Sequence, residues 1–290
     1  MSEGERLLIV GPGRAGLSLG YALVQADAVL DLTFAGRRPE PPGHPLFVQG
    51  TAGYVYGLQR PAPGTAAVVL AVPDSAIHDV AVGLASLGEA PPGCAAFHMS
   101  GASSTEPLTP LHEQGYSVGS LHPLQTLANP VTGADLLPRS WFAVAGEPRA
   151  RSTAYRLLAY LGSPSFEIPA ANRPLYHAAA VLASNYVSVL TERARQLLVR
   201  AGVPWDESGP ALKALVEGTL QHRVWPDGVQ TITGPVARGD LETVDLHLRS
   251  LDPVDRRLYA ALGRVALEMV EDDLEDSTAR EMRHILEEEG

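Results

Sequence analysis

The fold of this chain is decided by the stretch Leu7-Leu8-Ile9-Val10-Gly11-Pro12-Gly13-Arg14-Ala15-Gly16, an apolar run that ends in a glycine-rich turn. An amphipathic segment from Leu17 to Ala26 follows, which gives the order strand, turn, helix. The glycines have the spacing G-x-G-x-x-G. Gly11 permits the tight turn, Gly13 lets a pyrophosphate approach the backbone, and Gly16 lets the helix pack closely on the strand. In this context the spacing predicts a dinucleotide-binding site, with a plain glycine-rich turn as the alternative.

Residues near the turn also indicate which dinucleotide binds. At the start of the helix, Arg14 and Ala15 offer free backbone N–H groups and a partial positive charge to phosphates. The next predicted strand, Val29–Ala35, is followed by Arg37 and Arg38, where NAD-binding proteins place a carboxylate for the ribose hydroxyls. Because guanidinium groups attract a 2′-phosphate, the sequence favours NADP(H) over NAD(H), unless both arginines simply belong to a solvated turn.

Composition limits the class of protein. The 290 residues are 45% hydrophobic and 19% charged, as in a globular protein long enough for two domains. No apolar run reaches the ~18 residues of a membrane span, and no secretory signal precedes the first strand, so we expect neither membrane insertion nor secretion. The net charge of −11 disfavours nucleic acid and anionic membranes as partners. The single Cys94 cannot form an internal disulfide, which suits a cytoplasmic protein, and no metal site is expected.

Residues 1–169 are predicted to form one domain in which strands alternate with helices. A loop over 39–53 and helices over 76–87 and 150–161 separate apolar segments that are typical of buried strands. These further strands are predicted over 66–72, 95–99, 116–121, 141–146 and 165–168. The alternation predicts an α/β fold with a Rossmann-type, doubly wound parallel sheet.

Small and polar residues follow three of these strands, at the sheet edge where such folds bind ligands. We expect the pairs Val72-Pro73 and Ser100-Gly101 to lie against the cofactor. His122 is a candidate catalytic residue, or else a structural histidine that holds a loop, and Gln125 is a candidate for binding substrate. His98 lies inside a strand and is predicted to be a core side chain whose hydrogen bonds are satisfied.

Residues 170–290 have helical periodicity and are predicted to form an all-α domain. A long helix from Pro174 to Ala201 is apolar on most sides and is expected to be the buried spine of this domain. His177, Ser184 and Asn185 would form a polar stripe on it. Because buried polar groups need partners, we predict that the stripe contacts the substrate and the nicotinamide amide, with neighbouring backbone as the alternative.

A second dense group of special residues follows a helix predicted over 210–225. The stretch 231–240 contains Thr233, a Gly-Pro turn, Arg238 and Asp240. Arg238 can hold a carboxylate with its guanidinium fork, so Arg238 and Thr233 are candidates for binding substrate, unless Arg238 pairs with Asp240. Asp240 is expected to cap the helix that follows.

Five motifs extend the pattern beyond the glycine turn. They are His98-Met99-Ser100-Gly101, His122-Pro123-Leu124-Gln125, Tyr176-His177-Ala178-Ala179, Ser184-Asn185-Tyr186, and Thr233-Gly234-Pro235 through Arg238-Gly239-Asp240. With the glycine turn they resemble a family that pairs a Rossmann-like domain with a C-terminal domain of unknown function 2520. The glycine turn, the strand end Ala71-Val72-Pro73-Asp74 and the helical second half also resemble the superfamily that contains pyrroline-5-carboxylate reductase, ketopantoate reductase, prephenate dehydrogenase and 6-phosphogluconate dehydrogenase. The resemblance covers nearly the whole chain.

The resemblance implies a nicotinamide-dependent oxidoreductase with its active site between the domains, and a homodimer formed through the helical domain. Hydroxyacid members of the superfamily often carry a catalytic lysine at the start of the long helix. This chain has no lysine there; Arg173 lies just outside the predicted helix and His177 lies one turn in. Because an arginine almost never donates a proton, His177 or His122 is the better candidate for proton transfer.

The sequence and the resemblance together predict NADP-dependent hydride transfer between the cofactor and a carbonyl or imine carbon of a small anionic substrate. A ketopantoate-like 2-oxo acid is the first expectation, on superfamily analogy. The alternatives are a dehydrogenase that acts on an amino acid or cyclic imine, as in pyrroline-5-carboxylate reductase, and a non-catalytic sensor that binds NADP(H) without consuming it.

Overall fold

The computed structural model describes residues 5–28, 30–223 and 232–288. The chain forms two compact units, Met1–Tyr186 and Val187–Gly290. In the part of the chain that the structure describes, no helix is long and apolar enough to cross a membrane.

The first unit contains an eight-stranded sheet with helices on both faces. Its strands are β1 Glu5–Val10, β2 Leu30–Gly36, β3 Gly53–Tyr56, β4 Thr65–Leu70, β5 Ala95–His98, β6 Ser117–Pro123, β7 Phe142–Gly146 and β8 Ser165–Glu167. Its helices are α1 Arg14–Gln25, α2 Pro45–Val48, α3 Ile77–Ala85, α4 Thr109–Glu113, α5 Pro130–Leu136, α6 Pro148–Leu161 and α7 Arg173–Val181. A π-helical turn, Leu182–Tyr186, continues α7.

The strand order is β3-β2-β1-β4-β5-β6-β7-β8, and the predicted α/β fold with a Rossmann-type sheet is confirmed. The strands from β3 to β6 are parallel, but the prediction of a wholly parallel sheet is wrong at β7, which pairs antiparallel with β6. The connection through α5 brings the chain back to the edge where β6 ends, so that Phe142 lies opposite Pro123. A parallel β7 would have needed a crossover to the other edge.

Two apolar cores lie on the two faces of the sheet, because successive residues of each buried strand point to opposite faces. In β4, Val69 packs in one core with Phe34 and Phe97, whereas Val68 and Leu70 pack in the other. These strands carry the continuous apolar runs from which the sequence predicted them.

The segment predicted as a loop over 39–53 contains more structure than its composition indicates. It includes the short helix α2, where His44 Nδ1 accepts a hydrogen bond from the Leu46 N–H at 3.3 Å. Strand β3 follows directly and adds to the sheet beside β2. The sequence prediction missed β3 because its four residues, Gly53 to Tyr56, are too few to show a clear alternation of apolar and polar side chains.

The predicted helix over 174–201 is divided into α7, the π-helical turn and α8, Val187–Arg200. The expectation that it forms a buried spine is wrong for the single chain, because the exposed fractions of Leu175 and Leu182 are 74% and 61%. Residues 170–186 group with the first unit. The predicted domain boundary after residue 169 stays a prediction.

The second unit contains α8 and four further helices, α9 Trp205–Arg223, α10 Leu241–Ser250, α11 Pro253–Val270 and α12 Asp276–Glu288. Helix α9 begins five residues before the predicted start at 210, and its predicted end at 225 lies outside the described residues, as does residue 231. The predicted cap is confirmed, since Asp240 Oδ1 accepts a hydrogen bond from the Thr243 N–H at 3.1 Å. The core of this unit includes Val244, Leu267 and Met282.

Candidate active site

The glycine-rich turn joins β1 to α1 at the carboxyl edge of the sheet. Gly11 has a φ of +105°, and a side chain there would overlap the Ala71 carbonyl just beyond β4. A side chain at Gly16 would overlap the Gly11 carbonyl and lie 2.9 Å from Ala71 Cβ. Around Gly13, in contrast, no described atom outside Gly13 and its two chain neighbours lies within 4 Å of the position that a Cβ would take.

The open space at Gly13 fits the pyrophosphate of a dinucleotide. Gly13 is the N-cap of α1, no side chain caps this end among the described residues, and the first turn has no acidic residue. The backbone N–H groups of Arg14 and Ala15 therefore lie at the positive end of the helix without a competing carboxylate. A phosphate could approach the backbone at Gly13 and accept hydrogen bonds from these N–H groups.

Arg37 and Arg38 follow β2 at the same edge. The Gly11 N–H donates to Ala35 O at 2.9 Å, which ties the end of β2 to the glycine turn. Arg37 lies only two residues after Ala35 in the chain. Both arginines are exposed, and in the described part of the chain neither side chain forms an ion pair. The backbone here is held by Tyr54, whose hydroxyl donates to Arg38 O at 2.6 Å. Two guanidinium groups without an ion pair, close to the glycine turn, suit a 2′-phosphate.

The residues after β4 and β5 lie next to the glycine turn and are tied to each other. Val72 Cγ1 is 3.1 Å from the position of a Gly11 Cβ, which places Val72 against the turn, and the adjoining Pro73 is exposed. The Ser100 hydroxyl donates to Asp74 Oδ2 at 2.6 Å and accepts from the Ser103 N–H at 3.0 Å. These bonds fix Ser100, which is 6% exposed, beside the end of β4.

His98 is a satisfied core histidine, as predicted. Its Nδ1 accepts from the Ser100 N–H at 3.1 Å, so the ring proton is on Nε2, which donates to Ser104 O at 2.8 Å. Burial lowers the pKa of His98 to about 4, with the positive charge of Arg173 acting in the same direction. His98 is therefore neutral near pH 7 and serves to shape the loop that carries Ser100.

His122, Tyr176 and His177 form a group that we call the histidine cluster. His122 Nδ1 and the Tyr176 hydroxyl are 2.7 Å apart, and the rings of His122 and His177 meet edge to face with centroids 5.9 Å apart. A Cβ on Gly101 would lie 2.5 Å from His177 Nδ1 and 2.8 Å from His122 Nε2. Both histidines therefore present a nitrogen to the same backbone position, which only glycine allows.

In the histidine cluster, burial favours the neutral forms of His122 and Tyr176. Burial, followed by the nearby His177 and Arg173, lowers the pKa of His122 to about 4, and burial raises the pKa of Tyr176 to about 12. At neutral pH the hydrogen bond between them thus joins a neutral imidazole and a phenol. His177 Nδ1 is buried and has no hydrogen-bond partner among the described residues. Such a nitrogen is available to a bound ligand.

Three other candidates on the first unit, Gln125, Ser184 and Asn185, form local hydrogen bonds. Gln125 Nε2 donates to Ser140 Oγ at 3.1 Å and its Oε1 accepts from the Thr126 N–H at 2.8 Å, so its amide supports its own loop. Ser184 Oγ lies 2.9 Å from Ala180 O and 3.0 Å from Asn185 Oδ1. The predicted polar stripe of His177, Ser184 and Asn185 assumed α-helical spacing. That assumption is wrong here, because Ser184 and Asn185 lie in the π-helical turn, which has more residues per turn than an α-helix.

The remaining candidates belong to the second unit. Thr233 is exposed, and Arg238 Nη2 lies 4.0 Å from Asp240 Oδ2, which is the local pairing considered as the alternative. The Arg238 side chain is 65% exposed, so this pair is weak. The assignment of Thr233 and Arg238 to substrate binding stays a prediction.

Sequence reasoning missed three residues that the structure brings to the site. Tyr176 holds His122, Asp74 holds Ser100, and Arg173 donates from Nη2 to Ser100 O at 2.6 Å while only 1% exposed. The spacing of Arg173, Tyr176 and His177 is i, i+3, i+4, which places them on one face of a helix. That spacing was visible in the sequence, but its contacts with β5 and β6 depend on tertiary packing.

The site thus lies at the edge of a Rossmann-type sheet, and comparisons with known proteins agree with this class of fold. Residues 53–123 match a Rossmann-like domain and residues 140–266 match the domain of unknown function 2520. The chain therefore matches both of the domains that the resemblance named. No curated protein matches the sequence.

Solved structures with the same fold span nearly the whole chain. A Bacteroides fragilis protein classed as an NADP oxidoreductase has a TM-score of 0.72 at 22% identity, covering 91% of this chain and 98% of its own. A Thermotoga maritima protein has a TM-score of 0.66 at 22% identity, covering 92% and 99%. A pyrroline carboxylate reductase from Plasmodium falciparum, solved with NADP bound, has a TM-score of 0.59 at 13% identity, covering 98% of each chain. At these identities the likeness establishes the fold.

Proposed function

We propose that this chain is an NADP(H)-dependent oxidoreductase that transfers a hydride between the cofactor and a small anionic carbonyl or imine substrate. One observation carries the proposal: the glycine turn and the histidine cluster lie at the carboxyl edge of the same parallel sheet. Strands β1, β4, β5 and β6 are consecutive neighbours, so about 14 Å separates the turn from His122 along the edge. An extended dinucleotide binds across such an edge.

The residues present support NADP(H) as the dinucleotide. Gly13 leaves room for the pyrophosphate, and Arg37 and Arg38 place positive charge where a ribose 2′-phosphate would lie. Val72, Pro73, Ser100 and Gly101 then line the edge toward the nicotinamide end. The pyrroline carboxylate reductase of the same fold binds NADP, which supports the same choice.

When bound, the cofactor supplies or accepts the hydride, and this chain supplies the proton and the orientation. Reduction of a carbonyl or imine also needs a proton at the substrate oxygen or nitrogen. His177, with its unpartnered Nδ1, is the group proposed to hold that proton, and His122, which is neutral near pH 7 and is held by Tyr176, is proposed to orient the substrate. Because these groups are largely buried, hydrogen bonds to a ligand there would be stronger than in water.

Two substrate classes fit this chemistry. A ketopantoate-like 2-oxo acid is the first candidate. A cyclic imine or an amino-acid-derived imine is the second, and it is favoured by the solved structures, which include pyrroline carboxylate reductase and a reductive aminase from Aspergillus terreus. Incubation of the protein and NADPH with members of each class, followed at the NADPH absorbance band, distinguishes them.

We also propose a homodimer formed through the helical part of the chain. Several apolar side chains there are more than half exposed, which is unusual for an isolated globular protein. They are Leu175, Leu182, Val189, Leu215, Leu246, Val265 and Met269. A second copy of the chain would cover such a surface. Light scattering at micromolar concentration should give twice the chain mass of 30.7 kDa, and a monomer would contradict this assignment.

The decisive experiment for the proposed function compares binding with consumption of the cofactor. We expect NADPH to bind more tightly than NADH and to be oxidised slowly when a substrate of the right class is added. A protein that binds NADPH but never consumes it across both substrate classes would be a sensor. A protein that binds neither cofactor would refute the proposal.

A further inference from the structure

Arg173 is a buried cation without a matching anion. Its side chain is 1% exposed, and of its three nitrogens only Nη2 has an acceptor, the Ser100 carbonyl. Nε and Nη1 have no hydrogen-bond partner among the described residues, and no carboxylate there forms an ion pair with the guanidinium. Burial lowers the pKa of Arg173, as expected for a cation that has lost water, while the charges of Tyr176 and Asp74 act in the opposite direction.

Two carboxylates in this region, Asp74 and Glu167, accept hydrogen bonds from other groups. Asp74 attracts Arg173 without forming an ion pair with it, and its Oδ2 accepts the hydrogen bond from Ser100 Oγ. Glu167 accepts hydrogen bonds from Arg151 at 2.5 Å and Tyr155 at 2.6 Å. A buried guanidinium without an ion pair has lost the stabilisation that water provides, so an anion that reaches it would bind with a large electrostatic gain.

There is space for such an anion beside Arg173. A cavity of about 410 Å³ is lined by Arg173, by Ser104 and Thr105, and by residues 144–146 and 167–170. This volume lies in the range of small-molecule sites. The hydroxyl groups of Ser104 and Thr105 are further donors for an oxyanion.

Arg173 also lies within reach of the histidine cluster. It shares one face of α7 with Tyr176 and His177, three and four residues later. The Ser100 carbonyl that it binds belongs to the peptide preceding Gly101, against which His122 and His177 pack. Standard peptide geometry then puts the guanidinium less than about 10 Å from His177 Nδ1. A small molecule is long enough to span that distance, although His122 and His177 are not among the residues that line the cavity.

We propose that Arg173 binds the carboxylate of the substrate and thereby places its reacting carbon beside His122 and His177. This inference rests on the proposed function, and it assigns to Arg173 the carboxylate-binding role that was predicted for Arg238 from the sequence. The structure favours Arg173 because its charge is enclosed and unmatched, whereas that of Arg238 is largely in water and near Asp240. The implied substrate is a small monocarboxylic acid whose carbonyl or imine carbon is a few bonds from the carboxylate.

The test measures binding without turnover. The purified full chain is titrated calorimetrically with pyruvate and with methyl pyruvate, which differ only in the carboxylate charge, with and without NADP⁺, which cannot reduce them. We expect the wild type to bind pyruvate at least about tenfold more tightly than the ester, since a charge-assisted hydrogen bond is worth about 1.5–3 kcal/mol. Arg173→Met should abolish this preference.

Two further variants make the result specific. Arg6→Met is the matched control, because Arg6 pairs with Asp31 at the opposite edge of the sheet and should leave the preference unchanged. Arg173→Lys keeps the positive charge but loses the planar guanidinium fork, so it should retain only part of the preference for pyruvate over its ester. If Arg173→Met does not fold, Arg173→Lys serves as the test variant. The ligand-free melting temperature is measured for each variant, because a purely structural arginine would lower it without changing the preference.

The inference is overturned if the wild type binds both probes equally, or if Arg173→Met keeps the preference. Loss of the preference in Arg238→Met but not in Arg173→Met would also overturn it and return the role to Arg238. NADP⁺ affinity is measured separately in the same samples. Absence of NADP⁺ binding would refute the proposed function, while the comparison of pyruvate with its ester would still decide whether Arg173 binds a carboxylate.

Discussion

Substituting Gly13 by alanine should separate cofactor binding from folding. Gly13 has φ −91° and ψ −172°, an extended conformation that alanine adopts without strain, and a Cβ there meets no described atom within 4 Å. The folded protein should therefore tolerate the methyl group. A pyrophosphate that approaches this backbone would instead be displaced by it, because the methyl group occupies the space that the phosphate needs.

The size of the effect follows from the bonds that the displaced phosphate loses. One charge-assisted hydrogen bond to a backbone N–H contributes about 1.5–3 kcal/mol, so its loss lowers NADPH affinity by about 10- to 150-fold. Stability should change little, and the lower entropy of the unfolded chain could even add about 0.4–1 kcal/mol.

Gly16→Ala is the contrasting variant. Its Cβ would overlap the Gly11 carbonyl and press on Ala71 Cβ at 2.9 Å and Ile9 Cγ2 at 3.1 Å. Overpacking of this kind costs about 1–3 kcal/mol, which lowers the melting temperature by roughly 2–12 °C. Calorimetric titration with NADPH and thermal unfolding are measured on both variants. The reasoning is refuted if Gly13→Ala binds NADPH like the wild type, or if it unfolds as early as Gly16→Ala.

Three further outcomes are expected. Arg37→Ala should lose most of the preference for NADPH over NADH, about tenfold or more in the ratio of dissociation constants, and equal wild-type affinities would contradict the assignment. His177→Ala should lower turnover about 10²–10⁴-fold with little change in NADPH affinity if this residue transfers a proton; a fall in melting temperature with turnover intact would make it structural. The pKa of His98 is about 4 in the fold against about 6.5 unfolded, so the unfolded chain binds the extra proton and stability falls as the pH drops from about 6.5 to 4, by about 3 kcal/mol for this residue. Urea unfolding at pH 7 and 4.5 should accordingly show a smaller pH dependence in His98→Asn than in the wild type or in the exposed-site control His78→Asn.

Patterns of neighbouring residues were enough to predict the glycine-rich turn, the central strands and one helix start. The spacing of Gly11, Gly13 and Gly16 after an apolar strand predicted the first β-turn-α unit, because backbone sterics at a tight turn depend on a few adjacent residues. Continuous apolar runs predicted the central strands, since a strand buried on both faces must be apolar at every position. Asp240 predicted a helix start for an equally local reason.

The sequence patterns gave wrong predictions where the secondary structure or burial of a segment depends on the elements that pack against it. Strand β3 forms because β2 offers a free edge, and β7 reverses because its connection returns to the edge where β6 ends. The π-helical turn over Leu182–Tyr186 cannot be distinguished from an α-helix by apolar periodicity alone. The helix containing Leu175 reads as buried from its composition, although its apolar face is open in the single chain.

By itself, then, the sequence was enough to predict the Rossmann-type α/β fold and the glycine-rich turn. It also singled out the basic residues after β2 and the two histidines as candidate site residues. Only the tertiary structure decided which side chains meet: it joined Tyr176 to His122, set both histidines against Gly101, and enclosed Arg173 beside Ser100. The physical reason is that hydrogen bonds and burial depend on distances between residues far apart in the chain. Arg173 and Ser100 are separated by 73 positions, so no pattern of neighbouring residues predicts that the guanidinium is buried against the Ser100 carbonyl.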